Sequence, residues 1–380
     1  MRRTKIGNLA KQIRGVSYKP EDLHDTLDSE SVVLLRANNI DDGKINFDDV
    51  VYVDRRKVAD NQYLKKGDIL ICASSGSKQL VGKAASILFD KPCTFGAFCK
   101  VVRPEIGFEK YLGAYFQSDI YRRKISEVSI GININNIRNE HIDSLELPIY
   151  SNDTNNKIVS RLMLIQSIID KRKNELNNLD NLIKARFVEM FYDKNYPKST
   201  ISELAIDKVS SVKKDFQPSD IIKYIDISSI DNEKNIMTGY TEYVLSKAPS
   251  RAQQHIIKDD IVISTVRPNL HNVAMTTYTD NNLVASSGFC VLRAVKCIPE
   301  YLMAIVVSDN FTDAMSKIVT GANYPAIKNS DIMNYIVSVP PIEKQEEFAS
   351  FVKQVDKSKF VKINLVICKN IIYYRISWFF

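Results

Sequence analysis

The side chains with chemistry to offer fall into two groups, and each group occurs twice. One pair lies in the phrases "GININNIRNEHI" at Gly131 to Ile142 and "GANYPAIKNSDI" at Gly321 to Ile332, in step 190 residues apart. They contribute Asn133, Asn135, Asn136 and Arg138 in the first half, and Asn323, Tyr324 and Lys328 in the second. The other pair follows two short apolar runs: Ser74, Ser75, Lys78, Gln79 and Lys83 after "GDILI", and Thr265, Arg267, Asn269, His271 and Asn272 after "DDIVI". These are hydrogen-bond donors and acceptors, not a nucleophile set beside its base. The chain has no Asn/Asp-Pro-Pro-aromatic motif, no GxGxxG cofactor loop, no GxxxxGK[ST] phosphate loop and no PD…(D/E)xK carboxylates. "SSGSK" at Ser74 lacks the spacing of a phosphate loop. What the residues can do is recognise a partner by hydrogen bonds. An Asn-rich turn bonding its own backbone is the plainer alternative.

The elements that must position these residues are themselves written twice. "YLKKGDILICASSGS" resembles "HIIKDDIVISTVRPN", each a charged turn leading into a short apolar strand. "CTFGAFCKVVRP" echoes "LVASSGFCVLRA", which sets Phe98 and Cys99 against Phe289 and Cys290. "KYLGAYFQSD" and "EYLMAIVVSD" both start a helix, and each half closes on an apolar strand ending in proline, "SLELPI" and "YIVSVPPI". Gly131 and Gly321 serve the backbone, while Ile137, Ile142, Ile327 and Ile332 are core. Each half is therefore a mixed α/β domain, and 380 residues suit two of them. The balance of 52 Lys and Arg against 45 Asp and Glu gives +7, which suits nucleic acid without requiring it. Six scattered cysteines without a CxxC pair read as reduced thiols, and no secretory leader or unbroken apolar span is present, so the expected setting is cytoplasmic.

Between the halves runs "IVSRLMLIQSIIDKRKNELNNLDNLIKARFVEM", free of Gly and Pro. Ile158, Leu162, Ile165, Ile169, Leu176, Leu179, Ile183 and Met190 fall at alternating steps of four and three once Arg172 and Arg186 are allowed into the series. That is the seam of a coiled-coil helix, roughly 50 Å long, with Asp153 or Thr154 as its cap. Its partner begins at "PPIEKQEEFASFV", where Ile342, Phe348, Val352 and Val355 start a second seam, and the two helices pair antiparallel. Successive major-groove faces of B-DNA lie about 34–36 Å apart, so the spacer is long enough to hold two readers on one duplex.

This order of domain, long helix, domain, helix, with "GININNIRNEHIDSLELPI" and "GANYPAIKNSDIMNYIVSVPPIEKQEEFASFV" at the two junctions, resembles the specificity subunit (HsdS) of type I restriction-modification systems over about Lys5 to Phe360. The resemblance implies two similar α/β target-recognition domains separated by long helices forming an antiparallel coiled coil. It gives a first domain over 1–152, a spacer helix over 153–194, a second domain over 195–341 and a C-terminal helix over 342–380. It implies a noncatalytic, double-stranded-DNA-binding chain that reads a bipartite, asymmetric target, with the two groups of polar residues named above on the DNA. The seam residues then dock two methyltransferase subunits, joined by restriction subunits. S-adenosylmethionine, ATP and Mg belong to those partners, and this chain binds no metal or cofactor. One departure is the run "VKINLVICKNIIYYRISWFF", rich in β-branched and aromatic residues where the family continues charged and Leu-rich. If that tail is truncated, the second helix is short and the antiparallel pair incomplete. The competing reading is a coiled-coil scaffold with two protein-binding domains, in which Lys78, Lys83 and Arg267 need share no DNA-facing side.

Overall fold

The computed structural model describes residues 2–77, 79–128, 135–192, 194–319 and 326–376. The chain forms two compact units, one of residues 2–173 with the end of the last helix from Ile363, the other Asn174–Lys362.

In the first unit the apolar run Ile69–Cys72 is a strand buried along its whole length. Its side chains alternate between two cores. Ile69 and Ile71 face a helical layer with Tyr111, Leu112, Tyr115 and Ile125, while Leu70 and Cys72 face a second sheet with Leu35, Cys93 and Phe95. A strand covered on both sides reads as continuous apolar sequence. It lies inside a four-stranded sheet, between Ala84–Ser86 and Cys99–Pro104, with Ala10–Arg14 beyond the latter. The second sheet sets Ser31–Leu35 parallel to Cys93–Phe95 and antiparallel to Val51–Asp54. Arg2–Lys5 and Glu146–Ile149 pair as the unit's first and last strands.

The second unit repeats this arrangement. Ile261–Ser264 lies between Val273–Met275 and Phe289–Ala294, with Ala205–Ile206 beyond. Ile221–Ile225 runs parallel to Leu283–Ser286 and antiparallel to Thr241–Val244. Lys198–Thr200 pairs with Ile336–Ser338. The units differ at the margin of the second sheet. Leu23–His24 adds beside Val51–Asp54 in the first, whereas Ala252–His255 adds beside Leu283–Ser286, at the opposite margin, in the second.

The charged turns ahead of the two core strands also match. Asp68 is 2% exposed and takes a fork from Arg103, Nε to Oδ1 at 2.8 Å and Nη2 to Oδ2 at 2.7 Å. Asp260 is 1% exposed and takes the same fork from Arg293 at 2.8 and 2.7 Å. Each carboxylate also accepts the backbone N–H three residues before it, from Lys65 and from Ile257, both at 2.8 Å. The turn needs a left-handed residue just before the aspartate. Gly67 fills that place at φ 92° and Asp259 at φ 68°.

The Gly- and Pro-free segment is one helix, Asn152–Phe191. Its cap is Ser151, whose Oγ accepts the Thr154 N–H at 3.3 Å, and not Asp153 or Thr154 as expected. The seam residues Ile158 and Ile169 are buried, and Leu162, Ile165, Leu176, Leu179, Ile183 and Met190 are half-buried. The two ends of the seam do different work from its middle. Val159, Leu162 and Ile165 pack on the helical core of the first unit, while Ile183, Phe187, Met190 and Phe191 join that of the second. The middle of the helix is also tied to the Ile40–Ile45 hairpin, by Lys44 to Asp170 at 2.8 Å and by Lys173 to Asp42.

Within the second unit the C-terminal helix runs antiparallel to this one, since Arg186 meets Glu347 at 2.8 Å and Lys359 meets Asp180 at 2.6 Å. Phe348 is fully buried, with rings of Phe187 and Phe191 both 5.6 Å away, while Val355 is buried and Val352 half-buried; Ile342, expected in the seam, is exposed as the first residue of the helix. The tail corrects the short-helix expectation: the helix extends over Ile342–Ile376. β-branched and aromatic residues lower helix propensity by only tenths of a kcal/mol each, and the run holds no Gly or Pro to break it. Among the described residues no helix is long and apolar enough to cross a membrane. Cys72, Cys93, Cys99, Cys290 and Cys297 are free and buried. Burial pushes the Cys93 and Cys297 thiols up to about 11.

Removing either buried carboxylate leaves a half-buried guanidinium and a backbone N–H without their acceptor. Asp68→Ala and Asp260→Ala should each destabilise their own unit by about 3–5 kcal/mol, read as earlier urea unfolding and as proteolysis confined to that unit. The five buried thiols should stay unmodified by a thiol reagent at pH 8 in the folded chain, checked by peptide mass mapping.

Candidate nucleic-acid interface

The loops singled out by sequence are the tips of equivalent β-hairpins. In the first unit residues 73–83 join Ile69–Cys72 to Ala84–Ser86, closed by Cys72 N–H on the Lys83 carbonyl at 2.9 Å. In the second, residues 265–272 join Ile261–Ser264 to Val273–Met275, closed by Ser264 N–H on the Asn272 carbonyl at 2.9 Å.

The repeated phrases lie against these tips. Asn135 and Asn136 pair antiparallel with Ser75 and Ser74. In the second unit Ala326 bridges Val266. The bond that follows is the same in both: Ile137 N–H donates to the Ala73 carbonyl at 2.8 Å, and Ile327 N–H to the Thr265 carbonyl at 2.9 Å. Both isoleucines are buried, as are Ile142 and Ile332, so they anchor an edge whose polar residues line the tip. The described part of each doubled phrase, Asn135–Ile137 and Ala326–Ile327, thus ties a hairpin tip to its domain through backbone pairing. Next, Arg138 and Lys328 open equivalent short helices, each giving its backbone N–H to a side chain three residues on, His141 at 3.3 Å and Asp331 at 2.8 Å. Their own side chains are exposed.

Two helices prop the tips from beneath. Arg122, on helix Asp119–Val128, donates to the carbonyls of Val81 and Gln79 at 2.8 and 2.9 Å. Thr312, at the matching place on helix Asp309–Lys317, meets His271 Nδ1 through its hydroxyl at 3.3 Å. Gly82 is obligatory over its helix: at φ 82° an added Cβ would lie 2.4 Å from Ile125.

The candidate side chains separate by exposure. Gln79, Asn136, Arg138, Arg267, Asn269 and Lys328 are exposed, and Ser74, Ser75 and Lys83 are half-buried. Thr265 uses its hydroxyl on the Gly288 carbonyl at 3.0 Å, a local turn bond. His271 and Asn272 are half-buried, and Asn235 holds the His271 carbonyl at 2.9 Å. His271 therefore helps to seat the tip. Arg267 at φ 51° and His271 at φ 53° are both left-handed and bracket Pro268–Leu270. Non-glycine residues pay of order 1–3 kcal/mol for such backbone. Arg267 is exposed at this turn and makes no ion pair among the described residues. Lys78, Asn133, Asn323 and Tyr324 lie outside the described residues, as do Gly131, Gly321 and the side chain of Asn135.

The strand registers correct one sequence match. Cys99 stands opposite Cys72, and Phe289 opposite Ser264. Cys99 is therefore the counterpart of Phe289, and Phe98 that of Gly288. The shared "FC" dipeptide had shifted the comparison by one residue. By the same registers Ser75 corresponds to Arg267. Sequence reasoning missed Arg122, Thr312 and Phe98. The first two could have been found from the 190-residue spacing that relates their helices. Among the described residues no group of three His, Cys, Asp or Glu is placed to hold a metal ion.

A family model described as the type I restriction modification DNA specificity domain matches residues 20–179 and again 194–365. The EcoKI specificity subunit of Escherichia coli (strain K12) is 27% identical over 384 residues, spanning 92% of this chain and 81% of that one. The StySPI specificity subunit of Salmonella potsdam is 36% identical over 180 residues, 47% of this chain and 39% of that one. The solved S subunit from M. genitalium has a TM-score of 0.51 at 14% identity, covering 99% of this chain and 94% of that one. A chain solved in a study of type I R-M complex assembly gives 0.50 at 15%, covering 99% and 96%. These two structural likenesses establish a shared fold.

Arg122→Ala should loosen only the first tip. Amide exchange of the 79–83 segment should rise by about tenfold, the equivalent of about 1.4 kcal/mol for the charged hydrogen bonds lost from the Val81 and Gln79 carbonyls, with the second tip unchanged in the same mass-spectrometric run.

Proposed function

The chain belongs to the type I restriction-modification DNA specificity family, as the noncatalytic DNA specificity subunit of such a system, and we propose that each hairpin tip reads one half of a split duplex target. The observation that carries this reading is the duplicated junction, Ala73 with Ile137 and Thr265 with Ile327, because it sets a polar, partly exposed tip on a rigid sheet in the same way twice. Base edges are read by side chains held on firm backbone, whereas phosphate contacts give affinity and salt dependence.

The tips carry different side chains at matched places, Ser75 against Arg267, so the two half-sites differ and the whole target is asymmetric. Arg267 is suited to guanine, whose O6 and N7 accept a guanidinium fork in the major groove. Gln79, Asn136 and Asn269 suit adenine or phosphate, and Arg138 and Lys328 suit phosphate. Lys78, Asn133, Asn323 and Tyr324 belong to the same proposed surface by their place in the sequence.

The domain division 1–152, 153–194, 195–341 and 342–380 assigns the readers to the first and third segments and the spacer to the helices. On this reading the helices hold the two tips at a fixed number of unread bases and seat two methyltransferase subunits, with restriction subunits joining them. S-adenosylmethionine, ATP and Mg are bound by those partners. Methylation of adenine N6 is then directed, not performed, by this chain.

Co-expression with methyltransferase subunits, followed by single-molecule mapping of N6-methyladenine in the host DNA, should give a split motif with a constant gap. A stable complex that leaves no motif would overturn the reading. Arg267→Ala should relax one G·C pair in one half-site, at a cost of about 1–3 kcal/mol in discrimination, and leave the other half-site intact in the same maps.

A further inference from the structure

Phe98 is 71% exposed beside the first tip. Its backbone is fixed there, since the Phe98 carbonyl accepts the N–H groups of both Ala73 and Ser74, at 2.9 and 3.0 Å. The next residue, Cys99, is buried opposite Cys72. An exposed phenyl ring thus springs from fixed backbone next to the Ser74 segment, on the same tip that pairs with Asn136. A core role would bury it, as Phe289 is buried at 2% exposure in the other unit. The counterpart of Phe98 in the second unit is Gly288, whose carbonyl takes the Thr265 N–H and hydroxyl in the same way without offering a side chain.

Resting on the DNA reading above, we infer that Phe98 determines specificity at the first tip by recognising the 5-methyl group of thymine. A phenyl ring has no hydrogen bond to give a base edge. In the major groove the thymine methyl is the apolar group it can cover, while the neighbouring serine hydroxyls and the Asn136 amide reach donors and acceptors. The second tip, with glycine at that place, has no such contact and reads by Arg267 instead. The two half-sites therefore differ in kind as well as in sequence, one including a T·A pair sensed by its methyl and the other a G·C pair sensed by its acceptors.

Thymine and uracil differ only in that methyl, which makes the contact separable from all others. The test uses the full chain assembled with its methyltransferase subunits, on duplexes carrying the mapped motif. In the half-site that Arg267→Ala leaves intact, each thymine is replaced singly by uracil. The wild-type complex should lose about fourfold in affinity at one position, the worth of one buried methyl at about 0.8 kcal/mol. Phe98→Ala should bind the thymine and uracil duplexes equally, and should methylate a motif degenerate at that position. Its melting temperature should stay at the wild-type value because the ring is exposed. Phe98→Leu should restore part of the preference. The inference is overturned if the alanine variant keeps the uracil penalty, if it loses affinity on every duplex alike, or if that half-site has no T·A pair. A wild-type complex without preference for its motif over a scrambled duplex refutes the DNA reading itself. Relaxation by Arg267→Ala beside an unaltered Phe98→Ala map refutes only the thymine contact.

Discussion

A buried fork between an aspartate and an arginine on the neighbouring strand fixes each domain. The carboxylates of Asp68 and Asp260 lie almost wholly out of water, while Arg103 and Arg293 stay partly exposed, and a buried carboxylate left alone would cost several kcal/mol. Each carboxylate is satisfied by two guanidinium bonds and a backbone N–H, so it cannot slip relative to its partner. Slipping a strand by one residue would send every side chain to the other face. Because both faces of Ile69–Cys72 and Ile261–Ser264 are packed, the fork sets which residue emerges first at the tip, Ala73 in one unit and Thr265 in the other. The isoleucine of the repeated phrase then docks onto that residue's carbonyl.

What varies is built outward from this constant frame. The tips differ in length and residue type, and the second sheets add their fourth strand at opposite margins. Such changes cost the core little, since they fall on exposed turns and sheet edges. They are also where a recognition surface gains from variation. The props beneath the tips vary as well. A guanidinium holding two carbonyls in one unit gives way to a hydroxyl against an imidazole in the other.

The long helices obey a second constraint. A single apolar seam must serve several neighbours, and its ends are taken up by the domain cores through Val159, Leu162 and Ile165 at one end and Ile183, Phe187 and Phe191 at the other. The seam position occupied by Arg186 is satisfied by Glu189 and Glu347, with its guanidinium also over the Phe351 ring at 5.9 Å. A buried amide holds the start of each helix. Gln345 donates to the Pro340 carbonyl and accepts the Ile298 N–H. Asn155, its counterpart, donates to the Tyr150 carbonyl, and its Oδ1 has no partner among the described residues. One methylene less shortens its reach.

By itself the sequence determined the duplication, the two mixed α/β units, the strands beginning at "GDILI" and "DDIVI", and the long helix. These follow from periodicity and from the absence of Gly and Pro, which act within a few residues of where they are written. It also marked both groups of polar residues, because each recurs at a matched place. Tertiary structure decided what those residues do. That the Asn136 segment lies along Ser74, that Thr265 and His271 serve the turn while Arg267 faces outward, and that Phe98 answers to Gly288 all depend on strand register. Register is fixed by a carboxylate and a guanidinium 35 residues apart in one unit and 33 in the other, a separation over which local sequence pattern carries no signal. The helical tail was decided there too, since weak propensities do not end a helix that nothing interrupts.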